Sequence, residues 1–338
     1  MTNFLKPLCL TLAAAIALCT AAGSGSLPTP TPSAKKLTIC LLPKKKGVPY
    51  FTTCAKGAEE AAKELGDTLI YDGPTDGSPE KAASMVDRWI LQGVDVIAVS
   101  PNDPEVVGQA MKKARAKGIH VITWDADAAK DTREFMVNQA TAKDIGYALV
   151  DAMAKDLGGE NAEGKVAIIT AALTAANQNE WMKFMKERLE HYPKMTLIAT
   201  KPSNEDQRLA FQVAQDLMKA NPDLKGIFGI SSVAFPGAAE AVKQAGKSGK
   251  VLVTGLATPN DMKAYVKDGT VKSVILWNTI DLGYLTIQAA HALATDKLKP
   301  GAKDLPAGRL GTKSIEGDQI LLGKILVFTK DNIDQFDF

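Results

Sequence analysis

From Lys36 onward, short apolar runs alternate with amphipathic segments of helical period. "LTICLLP" reads as a first strand, "FTTCAKGAEEAAKEL" as an Ala-rich amphipathic helix, and "DTLIYDGP" as a second strand. "PEKAASMVDRWILQG" is a helix stopped by Gly93, and "VDVIAVSP" is a continuous apolar strand. "PEVVGQAMKKARAKG" is a helix with Pro104 in its first turn and Gly118 past its end, and "HVITWD" is the next strand. Alternation of this kind is the signature of parallel strand–helix–strand units, and the series makes one complete doubly wound domain.

The rhythm then restarts. "AKDIGYALVDAMAKDLG", "NEWMKFMKERLEHYP", "EDQRLAFQVAQDLMKANP" and "FPGAAEAVKQAG" read as helices between the strands "KVAIITA", "MTLIATK", "LKGIFGIS" and "KVLVTGLATP". The helix "NDMKAYVKDG", the strand "KSVILWN" and the helix "LGYLTIQAAHALATD" follow. The tail from Gly301 is turn-rich, with one convincing strand, "KILVFT". The second series copies the first, so the pattern predicts an α/β protein of two similar lobes.

The segment "MTNFLKPLCLTLAAAIALCTAAG" breaks this rhythm. It has a short region carrying Lys6, an apolar stretch to about Leu18 and small residues around Ala21–Gly23. That is the layout of a secretory signal peptide, with cleavage after Ala21 or Ala22. The apolar run falls short of the roughly 20 residues a membrane-spanning helix needs. Cys19 raises a second fate, a lipid-anchored N-terminus, although Leu18 before it is bulkier than lipoprotein processing prefers. "GSGSLPTPTPS" reads as an extended linker in either case.

Composition narrows the function by exclusion. Acids and bases nearly balance, giving a net charge of +2, so there is no field for nucleic acid or an anionic membrane. The three histidines fall at a strand start, near a helix end and inside a helix, so they assemble no metal site or triad. There is no "GxSxG" elbow, and "PKKKGVPYF" carries one glycine where a dinucleotide loop wants three. Neither an enzyme nor a cofactor is expected. Cys40 lies in a strand and Cys54 in the next helix, which reads as two separate buried thiols.

In open parallel sheets, ligands bind beyond the carboxyl ends of the strands. Those ends carry Lys44, Tyr50 and Phe51 after the first strand, and Asn102 after the third, where a helix-capping role is equally open. "TWDADA" adds Trp124, Asp125 and Asp127. Asn177 and Gln178, Phe235 and Pro236, and Trp277 and Asn278 close three later strands. Aromatic faces beside carboxylates and amides suit sugars. Vicinal hydroxyls pair with planar acceptors, and the C–H face of the ring packs on an aromatic plane.

The stretches "PKKKGVPYF", "YDGPTD", "TWDADA", "NQNEW", "FPGAAEA", "GLATPNDM", "GTVKSVILWN" and "VFTKDNIDQFDF" resemble the type I periplasmic sugar-binding proteins of ABC importers. The likeness is to the branch that includes rhamnose-binding and autoinducer-2-binding receptors. It implies two Rossmann-like lobes joined by a three-segment hinge near Ala126–Lys130, Ala257–Asn260 and Trp277–Ile280. The lobes would be 36–126 with 258–278, and 127–257 with 279–338, behind a signal peptide (1–22) and a linker (23–35). It also implies ligand contacts from Lys44, Asp125, Gln178, Pro236 and Ala238. Asn177 stands where the autoinducer-2 receptors carry Asp. "NQNEW" looks like the rhamnose side and "WDAD" like the autoinducer side. The expected partners are one small sugar and a membrane permease, with no nucleic acid, and the expected state is an exported monomer.

Overall fold

The computed structural model describes residues 36–338; the expected signal peptide, its Cys19 and the linker lie outside the described residues. The first half runs β1 (Thr38–Leu42), α1 (Pro49–Leu65), β2 (Thr68–Tyr71), α2 (Pro79–Gln92), β3 (Val96–Val99), α3 (Pro104–Ala116), β4 (His120–Trp124) and β5 (Phe135–Asn138). The middle runs α4 (Ala142–Asp156), β6 (Gly164–Thr170), α5 (Ala176–Leu189), β7 (Met195–Pro202), α6 (Gln207–Ala220), β8 (Leu224–Gly229), α7 (Ala234–Gln244), β9 (Leu252–Gly255), α8 (Pro259–Lys267) and β10 (Val274–Leu276). The chain then returns through α9 (Thr279–Ala294), β11 (Asp304–Pro306), β12 (Thr312–Glu316) and β13 (Gln319–Leu321), and ends with β14 (Leu326–Phe328).

One sheet has the order β11-β12-β13-β5-β4-β3-β1-β2, and it is parallel from β13 to β2. The other has the parallel order β7-β6-β8-β9. A parallel bridge from Leu256 to Ile275 brings β10 beside β9, and β14 pairs antiparallel with β10. Local signals set the helix limits. Ser78 caps α2 through the Lys81 amide, Asp103 caps α3 through Glu105 and Val106, and Gly66 ends α1 at φ 78°.

Sheet membership corrects the expected lobe limits. β5 continues the first sheet beyond β4, so the chain first crosses after Asn138 rather than near Ala126–Lys130. It passes from β9 through α8 to β10 on the second sheet, so no crossing falls near Ala257–Asn260. It returns at Trp277–Asn278, where one was expected, and crosses again between β13 and β14. Residues 279–321 were expected with the second lobe. Instead α9 packs on α1 and on β1, β3, β4 and β5, and β13 pairs with β5. The reason is that β5 has only four residues and β11–β13 are short and carry polar residues, so they give little of the apolar signal by which strands are read.

Strand alternation divides the first sheet's two faces. Ile39, Leu41, Val96, Ala98, Ile122 and Trp124 point into the larger core. Cys40, Leu42, Ile97, Val99 and Val121 pack with Val86, Trp89 and Met111 of α2 and α3. α1 and α9 meet almost backbone to backbone. A Cβ on Gly57 would lie 1.8 Å from the Ile280 carbonyl oxygen, and one on Gly283 would lie 1.8 Å from that of Cys54. Cys40 and Cys54 are buried and unbridged, as their separate elements implied. Burial pushes the Cys40 thiol up to about 12, against the opposing charge of Arg88. Among the described residues no helix is long and apolar enough to cross a membrane.

Candidate functional site

A cavity opens where the carboxyl ends of both sheets face each other. The first half supplies Lys44, Tyr50, Phe51 and Asp125. Asn177, Gln178, Trp181, Glu205, Ile230, Ser231, Ser232, Leu256, Leu276 and Trp277 complete the wall.

Asp125 organises it. β4 ends at Trp124, and Asp125 takes a left-handed backbone (φ 63°) that turns its side chain out of the strand's alternation. Its carboxylate is 4% exposed and receives three groups. Tyr50 donates to Oδ1 at 2.8 Å, Ser100 donates to Oδ2 at 2.8 Å, and Lys44 Nζ stands 3.1 Å from Oδ2. The Asp125 carbonyl accepts from Gln139 at 3.2 Å and from Asn177 at 3.3 Å. A carboxylate has about four acceptor positions, so Asp125 keeps room for one further donor.

Lys44 also donates to Asn177 Oδ1 at 3.3 Å. Asn177 lies in the first turn of α5, so Lys44 ties the two halves through one buried ammonium. Asn102 holds the Lys44 loop from behind, donating to the Lys44 carbonyl at 2.9 Å and to that of Gly77 at 2.6 Å. Trp277 donates its indole N–H to the Tyr50 oxygen at 3.0 Å. Burial, reinforced by the charge of Asp125, pushes the Tyr50 hydroxyl well above its ordinary value, so it stays a neutral donor. The chain Trp277–Tyr50–Asp125–Lys44–Asn177 is thus a continuous polar network, preorganised by its own members.

The aromatic wall is built edge to face. Tyr50 meets Phe51 at 5.0 Å and Trp277 at 6.1 Å, and Trp181 meets Trp277 at 6.2 Å. Asn177, Gln178 and Trp181 share one face of α5 because helical neighbours recur at three and four residues. Gln178 spends its oxygen on Thr170 Oγ1 (2.5 Å) and the Ala171 amide (2.8 Å), which fixes the strand-to-helix turn.

Of the residues singled out in the sequence, Lys44, Tyr50, Phe51, Asp125, Asn177, Gln178 and Trp277 come together around the cavity. The others do not border it. Trp124 is fully buried in the core under Phe51, because β4's alternation sends it to the α1 face. Asp127 turns to Arg133, which reaches it at 2.9 and 2.6 Å, and it borders an adjoining pocket that shares Asp125, Asn177 and Trp181 with the first. Phe235 is fully buried, packed against Gly229 and Gly255. Pro236 and Ala238 are buried within α7, where Gly237 brings that helix onto α6. Asn278 caps α9 through the Asp281 amide, and Asn102 acts only through the Lys44 loop.

Sequence reasoning passed over Glu205, Ser231 and Ser232, which follow β7 and β8 and were findable by the rule applied to the other strand ends. Trp181 was findable by its helical spacing from Asn177 and Gln178. Ile230, Leu256 and Leu276 carry no chemical signal. Among the described residues, no group of three or more His, Cys, Asp or Glu is placed to hold a metal ion.

A model of a periplasmic binding protein domain matches residues 39–298. The chain belongs to the periplasmic binding protein family. This is a family of receptors that serve ABC importers, not of enzymes. The ribose import binding protein RbsB of Escherichia coli (strain K12) is 28% identical, with 79% of this chain and 86% of that protein aligned. LsrB from Clostridium saccharobutylicum, solved in complex with AI-2, superposes with a TM-score of 0.85 at 28% identity, covering 89% of this chain and 100% of that one. An ABC transporter solute binding protein from Clostridium phytofermentas with bound L-rhamnose matches with a TM-score of 0.85 at 29% identity, covering 90% of this chain and 98% of that one.

Proposed function

We propose that this protein binds one monosaccharide in the cleft and hands it to the membrane permease of an ABC importer. The observation that carries this reading is the Lys44–Asp125–Asn177 bridge between the two halves, set beside Phe51, Trp181 and Trp277. Buried charge and amide groups supply donors and acceptors for hydroxyls, and the aromatic rings supply surface for the sugar's apolar face. Phe51, Trp181 and Trp277 take the stacking role that the sequence suggested for Trp124. Lys44, Asn177 and the remaining acceptor position of Asp125 take the hydroxyls.

A deoxyhexose of the rhamnose type or a pentose is the preferred ligand, and autoinducer-2 is the second reading. Asn177 favours the sugar, because an amide offers both a donor and an acceptor where a carboxylate offers acceptors alone. Binding draws the halves together about the crossing segments after β5, β10 and β13, and the permease reads the closed form. The receptor works as an exported monomer, either free after cleavage near Ala22 or anchored through Cys19.

A thermal-shift screen with L-rhamnose, D-ribose, L-arabinose, D-allose and autoinducer-2 tests this reading. At ligand 100-fold above Kd, linkage stabilises the fold by about 2.7 kcal/mol. A flat response across all the ligands rejects it. A response to autoinducer-2 alone selects the second reading. Mass spectrometry of ligand carried through purification identifies the natural sugar.

A further inference from the structure

We propose that Glu205 sets the charge class of the ligand, admitting neutral and amine-bearing sugars and excluding sugar acids. This rests on the reading of the cleft as a sugar site and deepens it. Glu205 borders the cavity from the turn between β7 and α6. That turn is unusual in its backbone: Asn204 and Glu205 adopt consecutive left-handed conformations, φ 51° and 52°. Asn visits this region readily, but Glu does so rarely, and residues held this way cluster at ligand clamps.

The turn is fastened from the opposite half. Lys45 Nζ donates to the Glu205 carbonyl oxygen at 2.8 Å, so its ammonium is committed to main chain. The Lys44 ammonium is committed to Asp125 and Asn177. Among the described residues no hydrogen bond or ion pair reaches the Glu205 carboxylate. Its own helix contributes Asp206, which caps α6 through the Leu209 amide, and Arg208 beyond it.

Within the cavity wall, Lys44 and Asp125 cancel, and Glu205 is the remainder. Burial raises its pKa above the ordinary value; the charge of Asp125 adds to this, while Lys44 and Lys45 oppose it. A carboxylate in that position accepts from a hydroxyl or an ammonium group. A second carboxylate or a phosphate brought into the same cavity meets a like charge, which Lys44 and Lys45 offset only in part because Lys44 is shared with Asp125 and Lys45 lies outside the cavity wall.

The test is calorimetric titration of the full chain. It uses the neutral sugar that gives the largest thermal shift, together with its uronic-acid and 2-amino-2-deoxy analogues. The same three probes are run on the wild type, Glu205→Gln and Glu205→Asp. The wild type is expected to bind the amine analogue more tightly than the acid by at least 100-fold. Glu205→Gln is expected to narrow the gap between acid and neutral sugar at least tenfold, and Glu205→Asp to preserve it. Comparing one probe across variants cancels the size of the added group.

Wild-type binding of the acid as tight as that of the neutral sugar overturns the proposal. So does a Glu205→Gln chain that binds the neutral sugar with the gap unchanged; in both cases the sugar site itself stands. If no neutral sugar binds the wild type, the sugar site falls and takes the proposal with it.

Discussion

Asp125 and Asp127 leave the same strand two residues apart, and each carboxylate meets one buried cation: Lys44 in the first case and Arg133 in the second. Lys44 arrives from another loop and reaches on to Asn177, so its pair spans the two halves. Arg133 arrives from six residues along the chain and also holds Asp318, 2.7 Å from its other amino group. That pair stitches β4 to the strand returning beside β5. Identical side chains with buried partners therefore divide between the candidate cleft and the scaffold. The left-handed backbone of Asp125 separates them by turning one inward while the other follows the sheet edge.

The sharpest way to break this contrast is to remove each carboxylate in turn. Asp125→Ala strands the Lys44 ammonium in a site where it is 5% exposed, and the Tyr50 and Ser100 hydroxyls lose their shared acceptor. Breaking a buried pair in this way costs about 3–5 kcal/mol. Urea denaturation is expected to show that loss, and the sugar-induced thermal shift is expected to vanish.

Asp127→Ala leaves Arg133 with Asp318, and Asp127 itself is partly exposed. Loss of its charge-assisted bonds is expected to cost about 2 kcal/mol, while sugar affinity measured by calorimetry stays within about threefold of wild type. A loss of affinity in Asp127→Ala matching that in Asp125→Ala would erase the division between the two residues.

The smallest effect lies in acid. Burial alone would raise the Asp318 carboxyl, but Arg133 and Lys130 outweigh it and hold the group below the usual carboxylate range. A depressed folded pKa means the contribution is complete above about pH 4 and fades as pH falls through the lowered value. Asp318→Asn is expected to be less stable than wild type at pH 6, with the difference shrinking below about pH 4 in acid-titrated denaturation curves. A constant difference across that range would show that Asp318 acts by packing alone.

Much of this arrangement was legible in the chain. The alternation of apolar runs and helices marked the parallel architecture, and the strand-end rule found Lys44, Tyr50, Asp125 and Asn177, because open sheets present ligands there. The failures have physical causes. Trp124 is the last residue of β4, so the strand's alternation still governs it and it faces the core under Phe51. Phe235 looks like a stacking ring by type, yet Gly229 and Gly255 leave a hollow that it fills. β5 is too short, and β11–β13 too short and polar, to announce themselves, and without them the lobe limits were misdrawn. Glu205 follows β7 and lay within reach of the strand-end rule; only its left-handed backbone has no sequence signature.

Trp181 stands on α5 above the second sheet, and Trp277 stands where the chain recrosses to the first, hydrogen-bonded to Tyr50 of α1. Their rings meet at 6.2 Å, tilted by 66°. Parting the two halves parts these indoles, so the molecule carries its own optical gauge. Intrinsic emission, to which Trp89 and Trp124 add a background, is expected to change as the proposed closure brings Trp181 and Trp277 together, without any attached dye. A Trp181→Phe chain would read that closure from one side alone.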